Sequence, residues 1–315
     1  MRALVTGGAG CIGSDLAGRL VKDGYEVAVF DNLSSGKQEH LKELLKNGKF
    51  RFIRADLLNR KQIGDACKNI DIVFHLAANS DIKYKEGDPT DEDLRLNTIA
   101  TYNVLEAMRV NGVKKIVFTS SSSVYGEAGK IPTPEDYPLR PISLYAASKA
   151  ACEAMIGAYS SMFGVQGWIL RLANIISGKS RKKGKTVLTD FIEKLKQNQG
   201  ELEILGNGRQ SKSYLLADDC IEGIITALNK SKVELNIYNV GPEDFLTVNE
   251  IASIVTEEMG LKNVKFRYTG GDRGWPGDVP RFLLDTRKIR KLGWKPRHNS
   301  KEAIRISIKN LLNKG

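Results

Sequence analysis

The chain has 315 residues, 41% hydrophobic and 27% charged. That balance excludes a disordered chain, and the length suits one large α/β domain or two modest ones with a core that needs no staples. The formal charge of +11 is concentrated late, in KSRKKGK at 179–185 and in residues 281–315, where it suits an anionic small molecule, a nucleic acid or membrane surface, or solubility alone.

The N-terminal stretch reads as a strand at 3–5 and a helix at 11–23. Further Val/Ile/Phe-rich, strand-sized runs fall at 27–30, 51–53, 71–77, 115–120 and 168–173. Helical stretches lie between them at 37–46, 59–68, 91–111 and 143–163, with Asn111-Gly112 as a stop. This alternation predicts an α/β fold, a Rossmann-type doubly wound parallel sheet. After residue 173 the rhythm loosens. A helix at 186–198, the GNG turn at 206–208, a helix at 217–229 and a strand at 236–240 precede a mixed region with the loop TGGDRGWPGDVP at 269–280. We expect a nucleotide-binding body of residues 1–173 plus about 217–243, and a smaller C-terminal substrate lobe of 174–216 plus about 244–315. No apolar run of about 18 residues is present, so no membrane-spanning helix is expected. The N-terminus has no signal-peptide pattern. Cys11, Cys67, Cys152 and Cys220 are dispersed, and His40, His75 and His298 form no cluster. Reduced thiols, no metal and a cytoplasmic location follow.

ALVTGGAGCIGSDLAGRL places Gly7, Gly10 and Gly13 between the first strand and helix. Such a turn needs glycine's wide φ range and lets a pyrophosphate reach bare backbone at a helix N-terminus. Asp31 ends the second strand, eighteen residues beyond Gly13. A carboxylate there accepts the ribose hydroxyls of NAD and repels the 2′-phosphate of NADP, and neither Arg2 nor Lys37 is placed as a phosphate clamp. Asp56, in RADLL, is either an adenine partner or the cap of the next helix.

FTSSSSVYG at 118–126 sets four serines at a strand's C-terminal end, where open parallel sheets bind ligands. Tyr145 and Lys149 stand four apart on a helix and share a face. A nearby ammonium lowers a tyrosine pKa from about 10, which equips the phenol to take and return a hydroxyl proton.

TGGAGCIG, DNLSSG, ADLL, HLAA, Asn97, FTSSSSVYG, YAASK and LRLAN together resemble the extended short-chain dehydrogenase/reductases, most closely their UDP-glucose 4-epimerase branch. LEILGNGRQSKSYLLADDC, NVGPEDFLTVNEIA and GDRGWPGDVPRFLLD extend the resemblance over nearly the whole chain. The resemblance implies that Gly7, Gly10, Ile12 and Gly13 line the NAD pyrophosphate and that Asp31, Asn32, Ser34 and Ser35 meet the adenosine ribose. Asp56 and Leu57 would touch adenine, and Leu76, Ala77, Ala78 and Asn97 would lie along the cofactor. Ser121 and Tyr145 would be catalytic, with Lys149 on the nicotinamide ribose. Ser80, Asn174, Lys212, Arg273 and Phe282 would contact a UDP-sugar.

Three departures from the branch stand out. Lys212 replaces an arginine, Ser177-Gly178-Lys179 replaces Gly-Pro, and GGDRGWPGD is one residue longer than in some relatives. Dehydratases and decarboxylases of this fold carry an acid beside the catalytic serine or threonine. Ser120-Ser121-Ser122-Ser123 has none, so inversion at carbon 4 of UDP-glucose or UDP-galactose is expected. The bulk of Phe282 is expected to disfavour an N-acetyl group. Other nucleotide-sugar chemistries, an N-acetylhexosamine 4-epimerase and a non-catalytic NAD-binding regulator remain alternatives. The branch also implies a homodimer through helices 91–111 and 143–163, where Val104, Met108, Met155 and Phe163 suit either an interface or the core. No nucleic-acid or membrane partner is expected.

Overall fold

The computed structural model describes residues 1–79, 81, 83, 87–179, 186–231 and 233–313. The first half runs β1 (Arg2–Thr6), α1 (Cys11–Lys22), β2 (Glu26–Asp31), β3 (Phe50–Arg54), α2 (Arg60–Ala66), β4 (Ile72–His75), α3 (Ala100–Val110), β5 (Lys115–Ser121), α4 (Leu144–Phe163) and β6 (Gln166–Leu172). The second half runs β7 (Asn174–Ile176), α5 (Val187–Gln197), β8 (Glu201–Ile204), β9 (Ser211–Lys212), β10 (Tyr214–Leu216), α6 (Ala217–Lys230), β11 (Leu235–Val240), β12 (Leu246–Thr247), α7 (Val248–Glu258), β13 (Lys265–Tyr268), α8 (Arg287–Arg290) and α9 (Ser300–Leu312).

Seven parallel strands form the central sheet in the order β11-β6-β5-β4-β1-β2-β3. Both faces are covered, which is why β1, β2 and β4 read as continuous apolar runs. One face packs on Leu16, Leu20, Ile221 and Ile224, the other on Ile63, Leu105, Cys152 and Ile156. The strand order reverses beside β1, where β4 follows on the side away from β2. Doubly wound sheets bind ligands in the crevice opened there. A third cluster, with Leu188, Phe191, Tyr214, Ile251 and Ile304, is built wholly from residues beyond 173. Three two-stranded sheets, β10 with β7, β12 with β9 and β13 with β8, accompany it.

Two expected elements differ. Residues 37–46 form two 3-10 turns, Gln38–Leu41 and Leu44–Lys46, rather than a helix. The glycine turn holds this segment, since Lys37 N–H donates to Ala9 O at 3.1 Å and the His40 ring bonds the same oxygen at 3.0 Å. The helix expected over 91–111 begins with a π-helical segment, Leu94–Ile99, before α3. Its stop is as expected, with Asn111 capping and Gly112 at φ 72°. Val104 and Met108 are fully buried and belong to the core, not to an interface.

Candidate active site

Gly7 ends β1 at φ +69°, and a Cβ there would stand 2.6 Å from Ala77 N, so the turn presses directly on the end of β4. A Cβ on Gly13 would lie 2.3 Å from Gly7 O. Gly10 meets only Gly7 O, at 3.1 Å, and lines an open cavity. Gly10 is also the N-cap of α1, which has neither a side-chain cap nor an acidic residue in its first turn. The first turn and its dipole favour an anion there. Asp31, buried at the end of β2, accepts from Ala9 N at 2.9 Å and Leu33 N at 2.8 Å, which fixes its carboxylate at the cavity wall.

Asn32 donates to Asp56 at 3.0 Å, and Ser34 N–H donates to Asn32 at 3.0 Å. Asn32, Ser34, Ser35, Asp56 and Leu57 line the same end of the cavity. Asp56 does not cap α2; Asn59 does, accepting from Gln62 N at 3.1 Å. Ile12, Leu76, Ala77 and Ala78 also line the cavity wall. Asn97 stands behind that wall. It is buried on the π-helical segment, donates to Ser148 Oγ at 2.8 Å and accepts from Asn79 N at 2.7 Å. π-Helical turns recur at functional sites because they displace one side chain from the helical register.

Beneath the crevice, buried His75 bonds Thr6 Oγ1 at 2.6 Å and Thr101 Oγ1 at 2.9 Å. Burial, reinforced by the Lys149 charge, lowers its pKa to about 3, so it is neutral. Ser121 ends β5 and caps the 3-10 turn Ser122–Tyr125, accepting from Ser123 N at 3.2 Å and Ser123 Oγ at 2.8 Å. Tyr145 and Lys149 lie on α4, whose N-terminus Ser143 caps. All three line the cavity. Lys149 Nζ is 5.9 Å from the Tyr145 ring centroid, 4.7 Å from that of Phe118, and donates to Thr119 O at 2.8 Å. Desolvation lowers Lys149 to about 8, while Cys152, Glu153 and Asp93 favour its charge.

The remaining expected residues divide. Asn174 and Lys212 line the cavity, with Lys212 paired to buried Asp278. Arg273 is turned to Glu127 at 2.5 Å and to Asp278 O at 2.9 Å, and it is absent from the lining. Phe282 packs with Val124, Tyr125, Ala173 and Leu284 instead of lining either cavity, so its bulk has no direct reach to a ligand there. Ser80 and the basic run 180–185 lie outside the described residues.

Gln210 is a further candidate that sequence reasoning missed. It is 3% exposed and lines the cavity, and its Oε1 has no partner among the described residues. A buried acceptor left open at a cavity wall fits a ligand donor. Its only sequence signal is an amide held between a GNG turn and a strand. Two adjoining cavities, about 490 and 1490 Å³, share Tyr145, Ile12, Ser34 and Ile175. The larger alone exceeds the roughly 300–1,000 Å³ of one small-molecule site.

The model of the NAD dependent epimerase/dehydratase family matches residues 3–241. The chain belongs to this family. A putative UDP-glucose 4-epimerase of Methanocaldococcus jannaschii is 34% identical over 306 residues, 96% of this chain and 95% of that protein. A crystal structure of a UDP-galactose 4-epimerase is 39% identical, with a TM-score of 0.87 over 100% of this chain and 99% of the other. A UDP-glucose 4-epimerase of Thermus thermophilus complexed with NAD is 32% identical, with a TM-score of 0.88 and full coverage of both chains. Relatives of the epimerase/dehydratase family also include UDP-sugar decarboxylases and a dTDP-glucose 4,6-dehydratase. The family's cofactor is NAD, and the glycine cradle and Asp31 fit it: the turn has no space for side chains at Gly7 and Gly13, and Gly10 opens onto the cavity.

Proposed function

We propose that this chain is a 4-epimerase of UDP-hexoses, interconverting UDP-glucose and UDP-galactose through a transient 4-keto sugar. One observation carries the reading. Ser121 and Tyr145 line one cavity, and the carboxylate that Ser120 touches, Glu153, is locked to Arg171 and lines neither cavity. Elimination needs a second acid–base group beside the serine, and among the described residues Ser121 is hydrogen-bonded to Ser123 and to no carboxylate.

NAD, when bound, supplies the hydride acceptor and donor for carbon 4. Gly7, Gly10, Ile12 and Gly13 hold its diphosphate. Asp31, Asn32, Ser34 and Ser35 hold the adenosine ribose, Asp56 and Leu57 the adenine, and Leu76, Ala77 and Ala78 flank the rest. Lys149 binds the nicotinamide ribose, and its ammonium favours the phenolate of Tyr145. Tyr145 takes the proton of the sugar 4-hydroxyl and later returns it. Ser121 hydrogen-bonds the same oxygen and fixes its position. Asn174, Lys212 and Gln210 hold the nucleotide, so the keto sugar turns over without leaving. Arg273 joins the diphosphate only by exchanging Glu127 for it.

A second reading, a 4-epimerase of UDP-hexuronates, is favoured by Lys83, a half-buried cation that lines both cavities and has no ionic partner among the described residues. A homodimer through α3 and α4 is supported by exposed Tyr102, Val110, Leu144 and Met162. Among the described residues no helix is long and apolar enough to cross a membrane.

The test replaces Tyr145 by Phe and follows UDP-galactose and UDP-galacturonate conversion. Loss of at least about a hundredfold in a folded, NAD-loaded variant is expected. Retained conversion refutes the scheme, and faster turnover of the uronate by the wild type selects the second reading.

A further inference from the structure

Glu153 and Arg171 are both buried, with side chains 5% exposed, in the middle of the nucleotide-binding body. Arg171 donates to Glu153 through Nε at 3.1 Å and Nη2 at 2.7 Å. Two charges withdrawn from water are not a cheap way to fill a core. Apolar residues of similar volume often serve stability as well or better, so the pair calls for another account. Its connections supply one.

Glu153 lies one turn beyond Lys149 and two beyond Tyr145 on α4. It does not pair with Lys149, which donates to Thr119 O instead. Its Oε1 accepts from Ser120 Oγ at 2.5 Å. Ser120 immediately precedes Ser121, and its register partner on the neighbouring strand is Arg171. Arg171 Nη1 reaches onward to Tyr125 Oη at 2.8 Å and Glu135 O at 2.8 Å. Tyr125 ends the 3-10 turn that begins after Ser121, and its hydroxyl donates to Asn239 Oδ1 at 2.7 Å on β11. Ser121 is thus held from both flanks, through Ser120 before it and Tyr125 after it. The helix that carries Tyr145 is bound to the same ion pair.

We propose that the Glu153–Arg171 pair is a positioning device that sets Ser121 against Tyr145 and Lys149 across the sugar site. The proposal rests on the catalytic reading of Ser121 and Tyr145. Near-attack geometry is steep, and misplacement by about 1 Å costs roughly a hundredfold in rate. A partial slackening of one flank therefore costs roughly tenfold.

The pair also touches Lys149 electrostatically. The charged or titratable groups that face this ammonium are Glu153 and Cys152 on α4, Asp93 before the π-helical segment, neutral His75 on β4 and the Tyr145 phenol. Glu153 raises the Lys149 pKa. Neutralising Glu153 therefore shifts the alkaline limb of the pH–rate profile to lower pH.

The experiment compares wild type, Ser120→Ala, Glu153→Gln, Arg171→Met and the double change Glu153→Leu with Arg171→Met, each as the NAD-loaded protein. Ser120→Ala removes one flank with little cost to folding. It is expected to lower kcat roughly tenfold with an unchanged KM and an unchanged alkaline limb. Glu153→Gln is expected to lower kcat and move the limb to lower pH, and Arg171→Met to lower kcat. The double variant is expected to fold as stably as wild type yet stay slow, which separates positioning from stability. Wild-type kcat in Ser120→Ala and in the double variant overturns the proposal. Tyr145→Phe is run alongside. If it keeps full activity the catalytic reading itself fails; if it is inactive while Ser120→Ala and the double variant keep wild-type kcat, only the positioning role fails.

Discussion

The glycine turn gives a pair of substitutions whose effects separate folding from cofactor binding. A methyl on Gly13 would sit 2.3 Å from Gly7 O and 2.7 Å from Gly8 Cα, both backbone atoms of the turn that cannot swing aside. Such overpacking costs up to about 3 kcal/mol, while alanine in α1 returns about 1 kcal/mol of helix propensity. Gly13→Ala should therefore lose about 2 kcal/mol of folding stability. A methyl on Gly10 meets only Gly7 O, at 3.1 Å, and otherwise enters the cavity. Gly10→Ala should fold within about 0.5 kcal/mol of wild type. The methyl takes the space of the diphosphate, however, and forfeits about one charge-assisted hydrogen bond, 1.5–3 kcal/mol or roughly ten- to a hundredfold in NAD affinity. Urea unfolding of cofactor-stripped protein and calorimetric titration with NAD measure the two quantities. Gly10→Ala binding NAD as wild type does, or Gly13→Ala matching wild-type stability, would refute the cradle.

His75 gives a pH signature. Its folded pKa near 3 lies below the unfolded value of about 6.5, so the unfolded chain binds the extra proton between them, and stability falls as pH drops through that window, by up to about 1.4 kcal/mol per unit. His75→Gln should flatten the dependence of the urea midpoint between pH 6.5 and 5, and an unchanged slope contradicts the assignment. Gln210→Leu should leave folding intact and weaken UDP binding roughly tenfold by calorimetry, since a ligand donor loses its acceptor at Gln210 Oε1; unaltered binding removes Gln210 from the site. Met162→Lys with Val110→Lys, at positions 70% and 72% exposed, should convert a dimer to a monomer in sedimentation, and a dimer that survives both charges lies on another face.

The nucleotide-binding half was legible because its signals are local. Glycine spacing, an acid at the end of β2, serines at the end of β5 and a Tyr–Lys pair at helical spacing each stand within one strand–turn–helix unit. The 37–46 segment misled because its tie to Ala9 is a tertiary contact. Asn97 was placed by resemblance, but its displacement by a π-helical turn is invisible to a 3.6-residue reading. Arg171 in an apolar strand and Glu153 in an apolar helix gave a signal, a charge at a core position, but their pairing is set by sheet order. Arg273 and Phe282 were placed by resemblance in a loop-rich lobe, where the ion pair with Glu127 and packing on Tyr125 decide their directions.

The most direct test of the central claim is conversion of UDP-galactose to UDP-glucose by the purified protein with no added NAD. Turnover that continues for many cycles, with no net change in nicotinamide absorbance and no keto sugar in solution, is the predicted result. A cofactor-loaded protein that leaves UDP-hexoses untouched, releases a keto product or consumes its cofactor in proportion to product would contradict it.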